Sequence, residues 1–290
     1  MGTHLNRAKL HFGTDTRGLL EGGRYALLHT RSLEFDDLRP YVAGDDVRDI
    51  DWKASARSGS VLIKRYVSEK HHKILLIADA GRNMTALAPS GELKRDVALH
   101  AMGAIGLISL GRSDEVALVF GDSRGSANVH ARRGETHVES LLHRYYSHTA
   151  GQPARSDLVT QLDYAATGYR RRMLIVIVSD EPDVRPRLDA ALQQLSGRHD
   201  LMWVMVSDMP AVGSAEGERD GYDVATGAYV LNGATLGPRI IAAYRRREAA
   251  RVADLEAFLA TRGIGFARIA GSSEIRSELV ALTEAFQHAG

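Results

Sequence analysis

The chain has 290 residues, a net charge of +1 and no cysteine, with 44% hydrophobic and 25% charged residues. These values suit one large globular domain or two modest ones, and they exclude disulfides and thiolate metal sites. A nearly neutral charge gives no bulk attraction to nucleic acid or to an anionic membrane. The sequence shows neither a signal-peptide pattern nor a run of about 20 apolar residues, so we predict a cytoplasmic protein without membrane insertion.

Residues 72–290 alternate between short aliphatic runs and longer amphipathic stretches, which predicts a main α/β domain with a doubly wound, mainly parallel sheet. Strands are predicted over 72–80, 115–121, 172–181, 200–208 and 263–270. Helices are predicted over 93–111, 135–148, 157–169, 184–196, 238–262 and 274–289. In such sheets the ligand or partner edge lies at the carboxyl ends of the strands, where Asp79, Asp180 and Asp208 are expected.

Residues 1–71 do not follow this alternation, and we predict that they form a small mixed segment packed on the main domain, with a strand over 60–69. The stretch YVAGDDVRDIDWKASARSG (41–59) concentrates charges of both signs. Asp45 and Asp51 are positioned to cap short helices, and Trp52 is expected to pack against the main sheet. A structural network is therefore the favoured interpretation, with a partner-facing surface or a metal or catalytic cluster as alternatives.

The stretch LEFDDLRPYVAGDDVRDIDWKASARSG closely resembles the signature of the domain of unknown function 58 family. Leu33 stands where that signature usually has glycine. The resemblance implies a von Willebrand factor A-type sheet and a MoxR-type AAA+ ATPase, or its client protein, as partner. Many family members also carry two N-terminal membrane helices, which this sequence lacks. The motif positions include Glu34, Phe35, Leu38, Arg39, Tyr41, Gly44, Asp45, Asp46, Arg48, Ile50, Asp51, Trp52, Ala54, Ala56, Arg57 and Gly59.

That fold usually carries a metal-ion-dependent adhesion site, with D-x-S-x-S in its first loop, a threonine in its second and an aspartate in its third. The resemblance places Asp79 and Asn83 in the first loop, Ser156 or Asp157 in the second, and Asp180 in the third. Hard oxygen ligands suit Mg²⁺ or Ca²⁺, but Gly81 has no side chain to ligate with. We therefore predict a degenerate site with no cofactor or with weakly bound Mg²⁺ or Ca²⁺.

An enzymatic function is the alternative, because GDSRG (121–125) matches the G-x-S-x-G of a nucleophile elbow. The polar, strand-like residues that follow favour a hairpin with Ser123 at its tip over a serine hydrolase. The sequence has no P-loop motif, so we predict a non-enzymatic interaction module. The partner is expected to contact the charged residues at the carboxyl ends of the strands, namely Arg82, Arg155, Asp180, Glu181 and Asp183.

Overall fold

The computed structural model describes residues 2–13, 33–42, 45–68, 72–210, 221–230 and 237–288. Its strands are β1 (Leu33–Pro40), β2 (Leu62–Ser68), β3 (Lys73–Asp79), β4 (Glu115–Asp122), β5 (Gly125–Arg132), β6 (Leu174–Asp180), β7 (Asp200–Val206), β8 (Gly221–Tyr222), β9 (Tyr229–Val230) and β10 (Gly265–Ile269). Its α-helices are α1 (Thr3–Phe12), α2 (Trp52–Ser58), α3 (Lys94–Arg112), α4 (Glu135–Ala150), α5 (Leu158–Gly168), α6 (Pro186–Ser196), α7 (Pro238–Ala260) and α8 (Ile275–His288). None of these described helices combines the length and apolar character needed to cross a membrane.

The main sheet has six strands in the order β10-β7-β6-β3-β4-β5. All neighbours run parallel except β5, which returns antiparallel along β4 and forms one edge. The predicted mainly parallel, doubly wound α/β fold is confirmed. The strand β3 is buried from its second residue to its last, since helices cover both faces of the sheet.

Alternate residues of β3 belong to two separate cores, because successive side chains of a strand point to opposite faces. Ile74 and Leu76 pack on the face covered by α1, α3, α4 and α8. Leu75 and Ile77 pack on the face covered by α5, α6 and α7. Because helices cover both faces of the main sheet, the loops at the ends of its strands are the places where a ligand or partner can reach it.

Helix α1, which the sequence analysis did not predict, is part of the first core. Leu5, Ala8 and Phe12 are almost completely buried. The carboxylate of Glu139, on α4, accepts hydrogen bonds from the backbone N–H groups of His4 (3.0 Å) and Leu5 (2.9 Å). These bonds satisfy donors that the first turn of a helix leaves without partners. The predicted boundary at residue 71 stays a prediction, but this helix packs with the main sheet.

The signature segment forms an antiparallel β1–β2 pair and the short helix α2. Asp51 accepts a hydrogen bond from the backbone N–H of Ala54 (2.9 Å), so the predicted cap at Asp51 is confirmed, and Gly59 ends α2 in the left-handed conformation. The predicted cap at Asp45 is wrong, because Asp46 caps the 3₁₀ turn over Val47–Asp49 instead. Gly44 and the side chains of Glu34 and Phe35 lie outside the described part of the chain.

Other motif residues form a local polar network. Asp45 forms a two-pronged ion pair with Arg39, with nitrogen–oxygen distances of 2.7 and 2.6 Å, and accepts a bond from the backbone N–H of Val42. Arg48 lies 3.7 Å from Asp46 and is almost fully exposed. The carboxylates of Asp45 and Asp46 therefore hold neighbouring groups of this segment in place, as the structural interpretation predicts. Tyr41 is half-buried, and the Nε of Arg57 donates to the carbonyl of Lys53.

The predicted burial of Trp52 is wrong. Trp52 is the first residue of α2, and it is 68% exposed. Val42 and Val47, on the preceding turn, are 61% and 60% exposed. The helix is short and packs against β2, and this packing leaves the side chain of Trp52 in solvent. An exposed tryptophan makes the partner-facing interpretation of this segment stronger than the sequence suggested.

Candidate functional site

A cleft of about 710 Å³ opens at the carboxyl ends of β3, β4, β6 and β7. Asp79 ends β3, Asp180 ends β6, and Asp208 follows β7 by two residues. The sheet thus brings Asp79 together with Asp180 and Asp208, which lie more than a hundred positions later in the sequence, as predicted. The lining also includes Asn83, Lys94, Ser123, Arg155, Ser156, Asp157, Glu181, Asp183, Arg185 and Arg187.

Asp79 lies at the floor of the cleft and is 1% exposed. Its carboxylate accepts a hydrogen bond from the backbone N–H of Gly81 (2.8 Å). Burial first, and then the nearby Asp180 carboxylate, raise the pKa of Asp79 well above its ordinary value. This acid is therefore held in a position where ionisation is costly.

Asp180 is joined to the first loop through Asn83. The Nδ2 of Asn83 donates to Asp180 (2.8 Å), and its backbone N–H donates to the Ser156 hydroxyl (3.2 Å). The Oδ1 of Asn83 is buried and accepts no hydrogen bond within the described chain. Burial raises the pKa of Asp180, although the nearby Lys94 ammonium opposes that rise.

Lys94, in the first turn of α3, supplies the positive charge of this cluster. Its side chain is 1% exposed, and its ammonium group forms an ion pair with Asp208 while lying 3.9 Å from the Oδ2 of Asp180. This residue was not predicted from the sequence. A lysine at the start of a mostly apolar helix was the available signal, but only the packing of α3 against the sheet shows that the side chain turns inward.

A divalent ion does not fit this arrangement well. The Lys94 ammonium already lies beside Asp180, so its positive charge would repel a metal ion bound to that carboxylate. Gly81 cannot be replaced by a ligating serine without movement of the chain, since a Cβ there would lie 2.4 Å from the Cα of Ser156. Mg²⁺ requires near-ideal octahedral oxygen geometry, and the Asn83 amide here directs its nitrogen at Asp180. We derive no chemistry through a metal at this position.

Asp122, which ends β4, fixes the second loop of the cleft and was also missed by the sequence analysis. It accepts hydrogen bonds from the backbone N–H of Ala154 (2.9 Å), from Arg124 (2.6 Å) and from His148 (3.1 Å). Burial opposes its ionisation, but these donors outweigh burial and hold the pKa of Asp122 far below its ordinary value. As a result, the second loop holds Ser156 within hydrogen-bonding distance of Asn83 in the first loop.

Asp157, predicted as a possible metal ligand, is engaged elsewhere. Its carboxylate accepts hydrogen bonds from the Thr160 hydroxyl (2.8 Å) and from Arg187 (3.1 Å). These partners turn it toward the start of α5 and toward α6. Ser156, rather than Asp157, joins Asp79 and Asn83 at the floor of the cleft.

The residues predicted to contact a partner differ in how accessible they are. Arg82 and Arg155 are exposed, and neither guanidinium forms an ion pair with any residue that the structure describes. Asp183 is exposed and pairs with Arg185 at 2.7 Å. Glu181 has a side chain only 1% exposed, enclosed by Arg251 of α7 and Arg268 of β10, so we assign it a structural role. Burial opposes ionisation of Glu181, but the two arginines lower its pKa overall.

Ser123 does not lie on a nucleophile elbow. It occupies the two-residue tip between β4 and the antiparallel β5, as the hairpin interpretation predicted. An elbow requires a helix directly after the serine. No hydrogen bond joins the Ser123 hydroxyl to a histidine in the described residues.

The profile of a family described as "Protein of unknown function DUF58" matches residues 37–218, more than half of the chain. The chain belongs to this family. Among curated proteins it is 27% identical over 197 residues to uncharacterized proteins of Mycobacterium tuberculosis and Mycobacterium bovis. The match covers 66% of this chain and 60% of those proteins, so the chain aligns with only part of their length.

Two solved structures are similar to this chain. One is described as an aerotolerance-related membrane protein from Bacteroides fragilis, with a TM-score of 0.46 and 14% identity over 75% of this chain and 99% of that one. The other is a von Willebrand factor type A protein from Catenulispora acidiphila, with a TM-score of 0.41 and 12% identity over 77% of this chain and 44% of that one. The fold class rests on the strand order of this chain itself.

Proposed function

We propose that this DUF58 protein is a non-enzymatic adaptor or cofactor of a MoxR-type AAA+ ATPase, acting in protein assembly or maturation. The observation that carries the proposal is the open cleft at the carboxyl edge of the sheet, whose floor is a cluster of polar side chains held by local partners. Lys94 pairs with Asp208 and lies beside Asp180, while Asp79 accepts from the backbone N–H of Gly81, and such a cluster is suited to shaping a surface. A nucleophile with an adjacent base, which a hydrolase needs, is not formed by Ser123.

Two exposed arginines at the edge of the cleft, without ion-pair partners among the described residues, suit an acidic segment of a partner. We define the cleft rim as Arg82, Arg155, Asp183, Arg185 and Arg187. The last three are engaged in ion pairs, Asp183 with Arg185 and Arg187 with Asp157. Arg82 and Arg155 therefore contribute the unbalanced positive charge. They lie close together, because the backbone N–H of Arg82 donates to the carbonyl of Ala154 at 2.7 Å.

Such a rim favours oriented, salt-sensitive association rather than high affinity by itself. We propose that an acidic loop of the ATPase docks on Arg82 and Arg155. Asp180, which the sequence analysis also placed on the docking surface, lies in the buried cluster with a side chain 13% exposed. It acts by keeping the floor of the cleft in place.

The test is binding of the full chain to the MoxR-type ATPase encoded nearest its gene, measured at low and high salt. Arg82→Glu combined with Arg155→Glu should weaken binding at least about tenfold, mostly through the association rate, and leave the melting temperature unchanged. Arg171→Glu is the matched control, because Arg171 is an exposed arginine just before β6, at the opposite edge of the sheet. Wild-type affinity in the double variant would refute docking at the rim, and the segment with the exposed Trp52 would be tested next.

A further inference from the structure

A second group of polar side chains lies away from the cleft, where α1 meets the start of α3. His11 is in the last turn of α1, Glu92 is in the loop before α3, and His100 is two turns into α3. One ligand atom from each residue can be chosen such that all three lie within 4.8 Å of one another. The rings of His11 and His100 are 4.6 Å apart between centroids and tilted by 31°. Neither the family signature nor the proposed docking accounts for this group.

We propose that His11, Glu92 and His100 form a binding site for Zn²⁺. Two imidazoles and one carboxylate are a ligand set that zinc uses with three protein donors and a fourth position left to water or another donor. Zinc bonds of about 2.0–2.2 Å require donors about 3.4 Å apart, so donors 4.8 Å apart must approach by about 1.4 Å. His11 is exposed on the surface of α1, and a change of its side-chain rotamer can supply that movement.

The other two ligands are already oriented by a shared partner, Ser272. The Nδ1 of His100 is 2.8 Å from the Ser272 hydroxyl, and the backbone N–H of Ser272 donates to the Oε2 of Glu92 (2.8 Å). We take the tautomer in which the Nδ1–H of His100 donates to the Ser272 hydroxyl. In that arrangement the Nε2 of His100 carries a free lone pair. Metal-binding histidines are commonly fixed in this way through their second nitrogen.

The two oxygens of the Glu92 carboxylate also have different roles. The Oε2 of Glu92 accepts from the Ser272 backbone N–H (2.8 Å) and from the Ser90 hydroxyl (2.9 Å). Its Oε1 has no hydrogen bond to any described residue and is available to a cation.

The protonation states also suit a metal. Burial, followed by the neighbouring His11, lowers the pKa of His100 to about 4, so the ring is neutral near pH 7. Burial opposes ionisation of Glu92, but the hydrogen bonds from Ser272 and Ser90 lower its pKa overall. The positive charge of Arg7, one turn before His11, acts on His100 and will reduce metal affinity.

Zinc at this position would join α1 to the loop before α3 and would secure the helix that brings Leu5, Ala8 and Phe12 into the core. The site does not depend on the proposed ATPase docking.

The test is calorimetric titration of the chelator-treated full chain with Zn²⁺, together with the visible spectrum of the Co²⁺-loaded protein. The wild type should bind one equivalent, show the intense absorption of low-coordinate Co²⁺, and exchange its α1 amide hydrogens more slowly when zinc is present. His11→Ala and Glu92→Gln should each weaken binding at least tenfold. Because His11 is exposed, its replacement tests the site without disturbing the core.

His130→Ala is the control, since His130 is an exposed histidine on β5, outside the cluster. It should bind zinc as the wild type does. The proposal is overturned if the wild type shows no stoichiometric site, or if His11→Ala and Glu92→Gln retain wild-type affinity.

Discussion

Replacement of Lys94 by methionine tests the role of this lysine in the polar cluster at the floor of the cleft directly. Methionine keeps most of the length of the side chain and removes only the charge, so the variant leaves Asp79 and Asp180 buried without their cation. Breaking a buried ion pair by removing one partner typically costs about 3–5 kcal/mol. We expect about 3 kcal/mol for Lys94→Met near neutral pH, because Asp208 is 52% exposed and can turn to water.

The cost should depend on pH with a definite sign. Both carboxyl pKa values are raised by burial in the folded protein, so their stabilising contribution is present at low pH and is lost as pH rises through the raised values. Loss of the ammonium raises the Asp180 pKa further. Lys94→Met should therefore destabilise the protein more at about pH 8 than at about pH 5.

The assay is urea unfolding and thermal melting of both proteins at the two pH values. Lys73→Met is the matched control, since Lys73 forms a surface pair with Glu115 at 3.8 Å and is 37% exposed, and it should change stability by less than about 0.5 kcal/mol. Adding Asp180→Asn to Lys94→Met should recover part of the loss, because it removes one of the uncompensated charges. Equal stability of Lys94→Met and Lys73→Met at both pH values would refute the reasoning.

Two other predictions concern Trp52 and divalent ions. Because Trp52 is 68% exposed, Trp52→Ala should change the free energy of unfolding by no more than about 0.5 kcal/mol, and a loss of 3 kcal/mol or more in denaturant unfolding would show that the ring is packed. Because Lys94 already lies beside Asp180, calorimetric titration with Mg²⁺, Mn²⁺ or Ca²⁺ should show no micromolar site at the cleft. A tight site that disappears in Asp79→Ala would contradict that expectation.

The sequence by itself determined the main α/β fold and the edge of the sheet at which the candidate site lies. A strand that is buried on both faces appears in the sequence as a continuous aliphatic run. The run 72–80 therefore predicts a strand without any knowledge of the helices that pack on it. Strand-to-helix alternation then leaves a parallel sheet as the natural solution, with Asp79, Asp180 and Asp208 meeting at its carboxyl edge. The hairpin at Ser123 and the cap at Asp51 were predictable for a similar reason, since each depends on a few adjacent residues.

Only the tertiary structure decided where individual side chains point. Lys94 resembles any solvated lysine at a helix start until α3 is packed on the sheet, and its charge then becomes the centre of the cleft floor. Trp52 resembles a core residue in sequence, yet its place at the first position of a short helix leaves it in solvent. His11, Glu92 and His100 meet because α1 packs against α3, and contacts between residues so far apart in the chain leave no local pattern to read.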